Sequence, residues 1–107
     1  MNNPQPREIL LVKFPFSDLT STKLRPALIL AVHREEVIIL GIFSKIPTEK
    51  LRNTWVVVRD NHSSFTKTGL KKTSLIRADK IATVSKSVFQ RKLGILSIDL
   101  SNQVNEA

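Results

Sequence analysis

Arg77 and Asp79 are the pair whose types and spacing most clearly suggest chemistry, because they flank one alanine in the segment LIRADKI. Residues two apart on a β-strand point to the same face, with Cα atoms about 7 Å apart. On a helix the same pair would point in nearly opposite directions. A guanidinium beside a carboxylate can hold an anion and take up a proton. A surface salt bridge has the same spacing, so the pair alone leaves both interpretations open.

Two further polar residues stand where predicted strands begin or end. Arg25 precedes Pro26 and an apolar run, where its planar fork could hold a phosphate group through two hydrogen bonds. Ser44 ends the segment GIFS and offers a hydroxyl. Both residues could equally be solvated strand ends. Adjacent strand residues face opposite ways, so Phe43 and Ser44 cannot line one surface together if the strand is regular.

The elements that must position these residues are short apolar segments at residues 8–14, 25–32, 36–43 and 54–58. Their Val, Ile and Leu content and their short length favour strands over helices. Only three residues separate the second segment from the third, whereas a parallel crossover needs about a dozen. The sheet is therefore predicted to be mainly antiparallel. Runs of consecutive apolar residues further predict that both of its faces are covered.

The second half of the chain predicts shorter elements and a terminal helix. Strand-like pieces are expected at residues 74–77 and 80–83, followed by one helical or 3₁₀ turn within residues 86–90. Ser97 is the predicted N-cap of a C-terminal helix with Asp99 in its first turn. An apolar stripe on that helix would comprise Ile98, Leu100 and Val104. The predicted fold class is mainly β with minor α: a small antiparallel barrel with a C-terminal helix.

Length and composition limit the remaining choices. A chain of 107 residues is one domain, and we expect a flexible tail at residues 1–7 before a single domain at residues 8–107. The absence of cysteine excludes disulfides and thiolate chemistry, and the scattered carboxylates predict no metal site and no cofactor. No apolar run approaches the roughly 20 residues that span a bilayer, and no signal sequence is evident. A cytoplasmic protein is expected.

The charge is unusual for so small a chain. Seventeen Lys and Arg against nine Asp and Glu give a formal net charge of +8. Such an excess favours nucleic acid or an acidic protein segment as the partner, ahead of a membrane surface. An inert basic surface is the alternative that composition leaves open.

Three segments, in their order and spacing, resemble the PemK/MazF family of bacterial toxin endoribonucleases from about Glu8 to Ser97. These segments are EILLVKFPFSDLTSTKLRPALILA, VIILGIFS and GLKKTSLIRADKIATVSKSVFQRKLGILS. The resemblance implies an SH3-like barrel, a homodimer, cleavage of single-stranded RNA without a metal, and inhibition by a cognate acidic antitoxin. An alternative is a barrel that binds nucleic acid or an acidic partner without cleaving it.

The resemblance also implies roles for four residues. The Arg-x-Asp motif of the family supplies catalytic groups and maps onto Arg77 and Asp79, while its Arg-Pro arginine maps onto Arg25. The family usually has a Thr-Ser or Ser-Ser pair at positions 43 and 44, where hydroxyls contact the scissile phosphate. This sequence keeps Ser44 but has Phe43 at the first position, and that change could slow cleavage, alter specificity or mark a weakened enzyme. The alternative is that Phe43 points into the core and Ser44 alone is sufficient on the groove face.

The implied reaction is attack by the 2′-hydroxyl of the RNA, giving a 2′,3′-cyclic phosphate and a 5′-hydroxyl. Asp79 would accept the proton, for which burial or a nearby phosphate must raise its pKa above the ordinary value of about 3.9. The family assigns the arginine as a general acid, but a guanidinium rarely yields its proton. Arg77 is therefore expected to act as an electrostatic clamp, with acid assistance to the departing 5′-oxygen left open. Either Phe16, where the first strand is expected to end, or Trp55 could stack on an RNA base, although a lone aromatic residue is usually part of a core or interface. Contacts with the RNA backbone are predicted for Lys23, Lys45, Lys71 and Lys72.

Overall fold

The computed structural model describes residues 3–13, 24–46 and 52–106 of the chain. Within these ranges the backbone forms six strands, two helices and one 3₁₀ turn. In chain order they are β1 (Glu8–Lys13), β2 (Leu24–His33), β3 (Glu36–Phe43), β4 (Trp55–Val58), α1 (Phe65–Thr68), β5 (Ser74–Ser85), the 3₁₀ turn (Lys86–Val88), β6 (Phe89–Ile95) and α2 (Ile98–Glu106).

The six strands form one sheet in the order β4-β5-β3-β2-β1-β6, and every neighbouring pair is antiparallel. β4 and β6 are its two edges in the described part of the chain, so the sheet is barrel-like without being closed. The predicted fold class, mainly antiparallel β with minor α and a C-terminal helix, is confirmed. The short β2–β3 connection turns at Arg34, whose φ is 57°.

Both faces of the sheet are buried, as the consecutive apolar runs predict. On one face, which we call the helical face, side chains such as Leu28 and Leu40 pack with Phe65 of α1 and with Leu100 and Val104 of α2. The opposite face carries a second cluster of buried residues, made of Leu10, Val12, Ala27, Ile29, Val37, Ile39 and Phe89. Neighbouring residues of a regular strand point to opposite faces. A register shift changes this assignment within β5, so that Ala78 packs with the first cluster and Ala82 with the second.

β5 is one continuous strand where the sequence predicts two pieces. Its pairing with β3 shifts register between Leu40 and Gly41, which pair with Ile81 and Arg77 respectively. The register shift therefore falls on the residues of β5 between Arg77 and Ile81. Such a bulge bends a strand and redirects its side chains, and here it falls on the segment that carries Asp79.

The C-terminal helix is confirmed at Ile98–Glu106, but its predicted apolar stripe is wrong at one position. Leu100 and Val104 are buried, whereas Ile98 is 64% exposed. Two residues along a helix rotate the side chain by about 200°, so Ile98 faces away from the side that Leu100 and Val104 bury. Ser97 donates its hydroxyl hydrogen to the Asp99 carboxylate. The predicted turn within residues 86–90 is confirmed as the 3₁₀ turn at Lys86–Val88.

Two glycines allow α1 and β6 to cross in direct backbone contact. Gly69 ends α1 with φ of 73°, and a Cβ placed on it would lie 2.1 Å from the carbonyl oxygen of Leu93. A Cβ on Gly94 would lie 2.1 Å from the carbonyl oxygen of Lys67. Neither distance is compatible with a side chain, so only glycine fits at this crossing.

The start of the chain is joined to the sheet through Arg7. Its backbone N–H donates to the Ile29 carbonyl, and its Nε donates to the Leu96 carbonyl 3.1 Å away. The division into a tail of residues 1–7 and a domain of residues 8–107 stays a prediction. None of the helices within residues 3–13, 24–46 and 52–106 is long and apolar enough to cross a membrane.

Candidate active site

Arg77 and Asp79 form a two-point ion pair on β5. Arg77 Nη2 lies 2.6 Å from Asp79 Oδ2, and Arg77 Nε lies 3.2 Å from Asp79 Oδ1. Parallel bonds of this kind fix the plane of a guanidinium as well as its position. The strand spacing therefore places the two side chains together, as the sequence predicts.

Aromatic rings hold the same guanidinium from two sides. Trp55 on β4 pairs directly with Arg77, and the Arg77 Cζ lies 4.7 Å from the centroid of the Trp55 ring. The Phe43 ring of β3 lies 5.9 Å from the same atom. Contacts of a cation with aromatic faces at these distances are attractive. Arg77 is thus held in place before any ligand binds.

Trp55 also contacts Asp79 directly, which the sequence does not reveal. Its indole Nε1–H donates to Asp79 Oδ1 at 3.1 Å. A single tryptophan in a short apolar segment is usually a core or interface residue. Only the pairing of β4 with β5 connects it to Arg77, so no sequence signal identifies this role.

The environment of Asp79 lowers the pKa of its carboxyl group. The largest cause is the hydrogen bond from Arg77; slight burial acts in the opposite direction, and the Trp55 hydrogen bond lowers the pKa further. Asp79 is therefore ionised at neutral pH and is a weaker proton acceptor than an ordinary aspartate. In the free protein this carboxylate is better suited to holding Arg77 and Trp55 in position than to accepting a proton.

The lowered pKa predicts how Asp79 affects stability as the pH changes. A carboxyl group with a lower pKa in the folded state stabilises the fold above its unfolded pKa, and this contribution is lost as the pH falls through the folded pKa. Asp79→Asn should therefore reduce the free energy of unfolding at pH 7, by less than about 1 kcal/mol because the pair is partly exposed. Urea unfolding should show a smaller difference from the wild type near pH 3.

Asp60→Asn is the matched control for this prediction, because Asp60 is an exposed carboxylate outside the pair. A difference between wild type and Asp79→Asn that is equal at both pH values, or larger in acid, would contradict the assigned stabilisation.

Arg25 lies on the same face of the sheet as Arg77. Ala27 of β2 pairs with Gly41 of β3, and Gly41 pairs in turn with Arg77 of β5. Arg25 is two residues before Ala27, so its side chain shares that face. Their Cα atoms are separated by two inter-strand spacings across the sheet and by two residues along the strands, which places them about 12 Å apart. Two arginine side chains can reach one anion between them.

Phe43 and Ser44 are on opposite sides of the sheet. The Phe43 ring shares the face of Arg77, as its distance to that guanidinium shows. Ser44 instead lines a pocket with Lys71 and Lys72, and none of Arg25, Arg77 and Asp79 contributes to that pocket. The structure therefore brings together three of the four predicted catalytic residues and separates Ser44 from them.

The predicted RNA-binding residues that the structure describes lie at two separate places, after β3 and before β5. Lys71 and Lys72 are exposed on the loop before β5, and Lys45 is exposed just after β3. Phe16 and Lys23 lie outside the described residues. Within residues 3–13, 24–46 and 52–106, no cluster of three or more His, Asp or Glu side chains has the arrangement of a metal site.

The sequence matches the profile of PemK-like, MazF-like toxins of type II toxin-antitoxin systems over residues 5–107. The chain belongs to the PemK/MazF toxin family. The match confirms the family that the three segments indicate, and it extends over nearly the whole chain. A comparison with curated proteins gave no match.

Solved structures share the PemK/MazF fold with this chain at low sequence identity. An endoribonuclease from a mycobacterial species has 22% identity and a TM-score of 0.69, with 99% of this chain and 88% of that chain covered. The Mycobacterium tuberculosis toxin MazF-mt6 has 22% identity and a TM-score of 0.71, covering 94% and 91%. A mycobacterial endoribonuclease in complex with its cognate antitoxin has 19% identity and a TM-score of 0.67, covering 96% and 88%.

Proposed function

We propose that this PemK/MazF toxin is an endoribonuclease that cleaves single-stranded RNA, including mRNA. One observation supports this most directly: in a chain of this family, Arg25, Arg77 and Asp79 share one face of the sheet. A strongly basic chain is also suited to a polyanionic substrate. The similar solved structures include proteins described as endoribonucleases.

The proposed reaction uses the 2′-hydroxyl of the RNA as the nucleophile and needs no metal. Negative charge develops on the phosphate oxygens in the transition state. Arg25 on β2 and Arg77 on β5 would approach the phosphate from two strands. Cations already positioned at such oxygens usually contribute the largest stabilisation of that charge. Because the rings of Trp55 and Phe43 keep the Arg77 guanidinium on this face, the cation is already beside the phosphate when the charge develops.

Asp79 would change its role when RNA binds. A substrate phosphate that pairs with Arg77 draws the guanidinium away from Asp79 and adds a negative charge beside it. Both changes raise the pKa of the carboxyl group, because they remove an opposite charge and introduce a like one. Asp79 then becomes a better acceptor for the 2′-hydroxyl proton in the complex than in the free protein. As the 2′-oxygen bonds to phosphorus, the bond from phosphorus to the 5′-oxygen breaks, and water at this solvent-exposed site supplies the proton that gives the 5′-hydroxyl.

Phe43 favours a second candidate function, a barrel that binds RNA or an acidic partner without cleaving it. Its ring occupies the catalytic face where the family usually has a hydroxyl, and Ser44 points to the other face. Without that hydroxyl, the two guanidinium groups carry the stabilisation of the transition state. We expect this to make cleavage slow, and loss of activity is the limiting case.

The proposal also includes the protein partners of this chain. A cognate acidic antitoxin would neutralise the basic surface, and one of the similar structures is an endoribonuclease with its cognate antitoxin. Acidic segments of this kind commonly fold on binding. We further propose a cytoplasmic homodimer, following the family.

The test is incubation of the purified protein with single-stranded RNA in EDTA, with analysis of the product ends. We expect 2′,3′-cyclic phosphate and 5′-hydroxyl ends, and no cleavage of the same RNA carrying 2′-O-methyl groups. Salt-sensitive binding without cleavage would reject the nuclease and support the second candidate. Cleavage of the methylated RNA would reject the 2′-hydroxyl mechanism.

A further inference from the structure

A second guanidinium lies over the Trp55 ring, in addition to that of Arg77. The Cζ atom of Arg52 is 5.7 Å from the ring centroid, and that of Arg77 is 4.7 Å from it. Contacts of this length attract a cation to an aromatic ring. The single tryptophan of the chain therefore holds two positive charges at the start of β4.

Arg52 is tied to Trp55 by the backbone and stays accessible. The N–H of Trp55 donates to the Arg52 carbonyl at 3.1 Å, which closes a turn that carries both side chains. Arg52 is exposed, and none of the carboxylates in residues 3–13, 24–46 and 52–106 forms an ion pair with it. Its guanidinium is therefore suited to binding an anion beside the one that Arg77 binds.

A pocket of about 520 Å³ runs along the outer edge of β4, next to the same tryptophan. Trp55, Val56 and Val57 all line it. Because consecutive strand residues point to opposite faces, a pocket that touches all three follows the edge of the strand. Gln103 and Glu106 of α2 also line it. The volume is within the range of small-ligand sites.

The strand register turns backbone polar groups toward this edge. The Ala78 N–H donates to the Thr54 carbonyl at 2.7 Å. In an antiparallel ladder this makes the next pair, Trp55 with Arg77, one that exchanges no backbone hydrogen bonds and whose side chains lie close. Val57, two residues further, has the same orientation, so its N–H and C=O point away from β5. β4 is an edge strand in the described part of the chain.

The groups around the pocket match the edge of a nucleobase. The side-chain amides of Asn53 and Gln103 each offer donors and an acceptor, and Val57 adds one of each from its backbone. Bases of single-stranded RNA are recognised by such hydrogen bonds and by stacking on aromatic rings or guanidinium planes, which Trp55 and Arg52 supply. A peptide strand added to β4 would use mainly the backbone groups, so the guanidinium groups and amides favour RNA.

We propose that the edge of β4 binds the nucleotide next to the scissile phosphate. With that phosphate on Arg77, the neighbouring phosphate pairs with Arg52, and the base between them enters the pocket, where Asn53 and Gln103 select it. Because both guanidinium groups lie over one ring, they suit phosphates one nucleotide apart. The proposal rests on the nuclease function proposed above and adds a source of its sequence specificity.

Fluorescence anisotropy of a short RNA with 2′-O-methyl groups, which block attack by the 2′-hydroxyl, tests the phosphate contact. In a set of such RNAs, one phosphate at a time is replaced by a neutral methylphosphonate. Wild-type binding should weaken by about tenfold when the phosphate at Arg52 is neutralised, because a hydrogen bond between charged groups is lost. Arg52→Ala should bind the unmodified RNA about tenfold more weakly and lose nothing further at that phosphate. Arg77→Ala should be insensitive at the adjoining phosphate instead.

Arg34→Ala, on the turn between β2 and β3, is the matched control and should respond to every methylphosphonate as the wild type does. Unchanged affinity of Arg52→Ala would overturn the subsite. So would an equal loss for all the RNAs with no insensitive position, or insensitive positions for Arg52 and Arg77 that are not consecutive. A wild type that binds no RNA would also overturn it, whereas the expected binding pattern without cleavage of unmethylated RNA would reject the nuclease and keep the subsite.

Gln103→Ala tests the recognition of the base. The order of affinity among RNAs that differ only in the base between the two phosphates should change, because amide donors and an acceptor are removed. Gln90→Ala, which removes an exposed glutamine of β6, should keep the wild-type order. An unchanged order in Gln103→Ala would overturn the role given to this amide. Thermal unfolding of each variant verifies that it is folded.

Discussion

Arg77→Ala is expected to reduce the rate of RNA cleavage by about 10²–10³-fold, the usual loss when one positioned charge-stabilising donor is removed. On the candidate active face, Arg77 is held by two bonds to Asp79 and by the rings of Trp55 and Phe43. Its removal takes away charge stabilisation that water cannot replace. Single-turnover cleavage of a labelled RNA measures this effect directly.

Arg77→Lys separates charge from geometry in the same assay. A lysine keeps the positive charge but loses the planar fork and much of the ring contact, so we expect it to recover only a small part of the rate. Arg34→Ala, on the hairpin turn, should cleave like the wild type. A rate for Arg77→Ala within a few-fold of the wild type, or full activity of Arg77→Lys, would contradict the role assigned to the fork.

Gly94→Ala is expected to destabilise the fold by about 3 kcal/mol or more, since overpacking that moves backbone is among the costliest single changes. The new Cβ would lie 2.1 Å from the Lys67 carbonyl oxygen and 2.4 Å from the Thr68 carbonyl carbon. Backbone at the end of α1 must move to relieve this clash. For a small domain this loss is a large fraction of the total stability.

Urea unfolding measures the loss, with Thr66→Ala as the control within α1 because Thr66 is exposed. The same displacement should move the loop that carries Lys71 and Lys72 away from Arg91. Wild-type stability of Gly94→Ala would show that α1 and β6 do not cross as described.

The sequence predicts the strands well in segments that are dense in apolar residues. It fails for elements whose position depends on pairing between strands that are distant in the chain. β1 to β4 correspond to the predicted apolar segments within a residue or two. β6 was not predicted, because its segment FQRKLGI is rich in polar residues, as suits a strand at the sheet edge. α1 has only four residues, too few for a helical period to show.

The candidate site is predictable only as far as local spacing reaches. The alternation rule places Arg77 and Asp79 on one face, and it shows that Phe43 and Ser44 must diverge. It does not say which of those two lies beside Arg77; that follows from the register between β3 and β5. Trp55 and Arg91 gain their positions from non-local strand pairing, which no short motif records.

The central claim is that Arg25 and Arg77 act on the same phosphodiester from two strands. A double-mutant cycle on the single-turnover cleavage rate, with Arg25→Ala, Arg77→Ala and both together, tests it most directly. We expect the cleavage rate of the double variant to fall by much less than the product of the two single-variant losses, which corresponds to a coupling of about 0.5–3 kcal/mol. Arg77→Ala with Arg91→Ala is the control pair, and the effects of these two substitutions on the cleavage rate should multiply. Multiplying effects for Arg25 and Arg77, or a wild-type rate for Arg25→Ala, would contradict the claim.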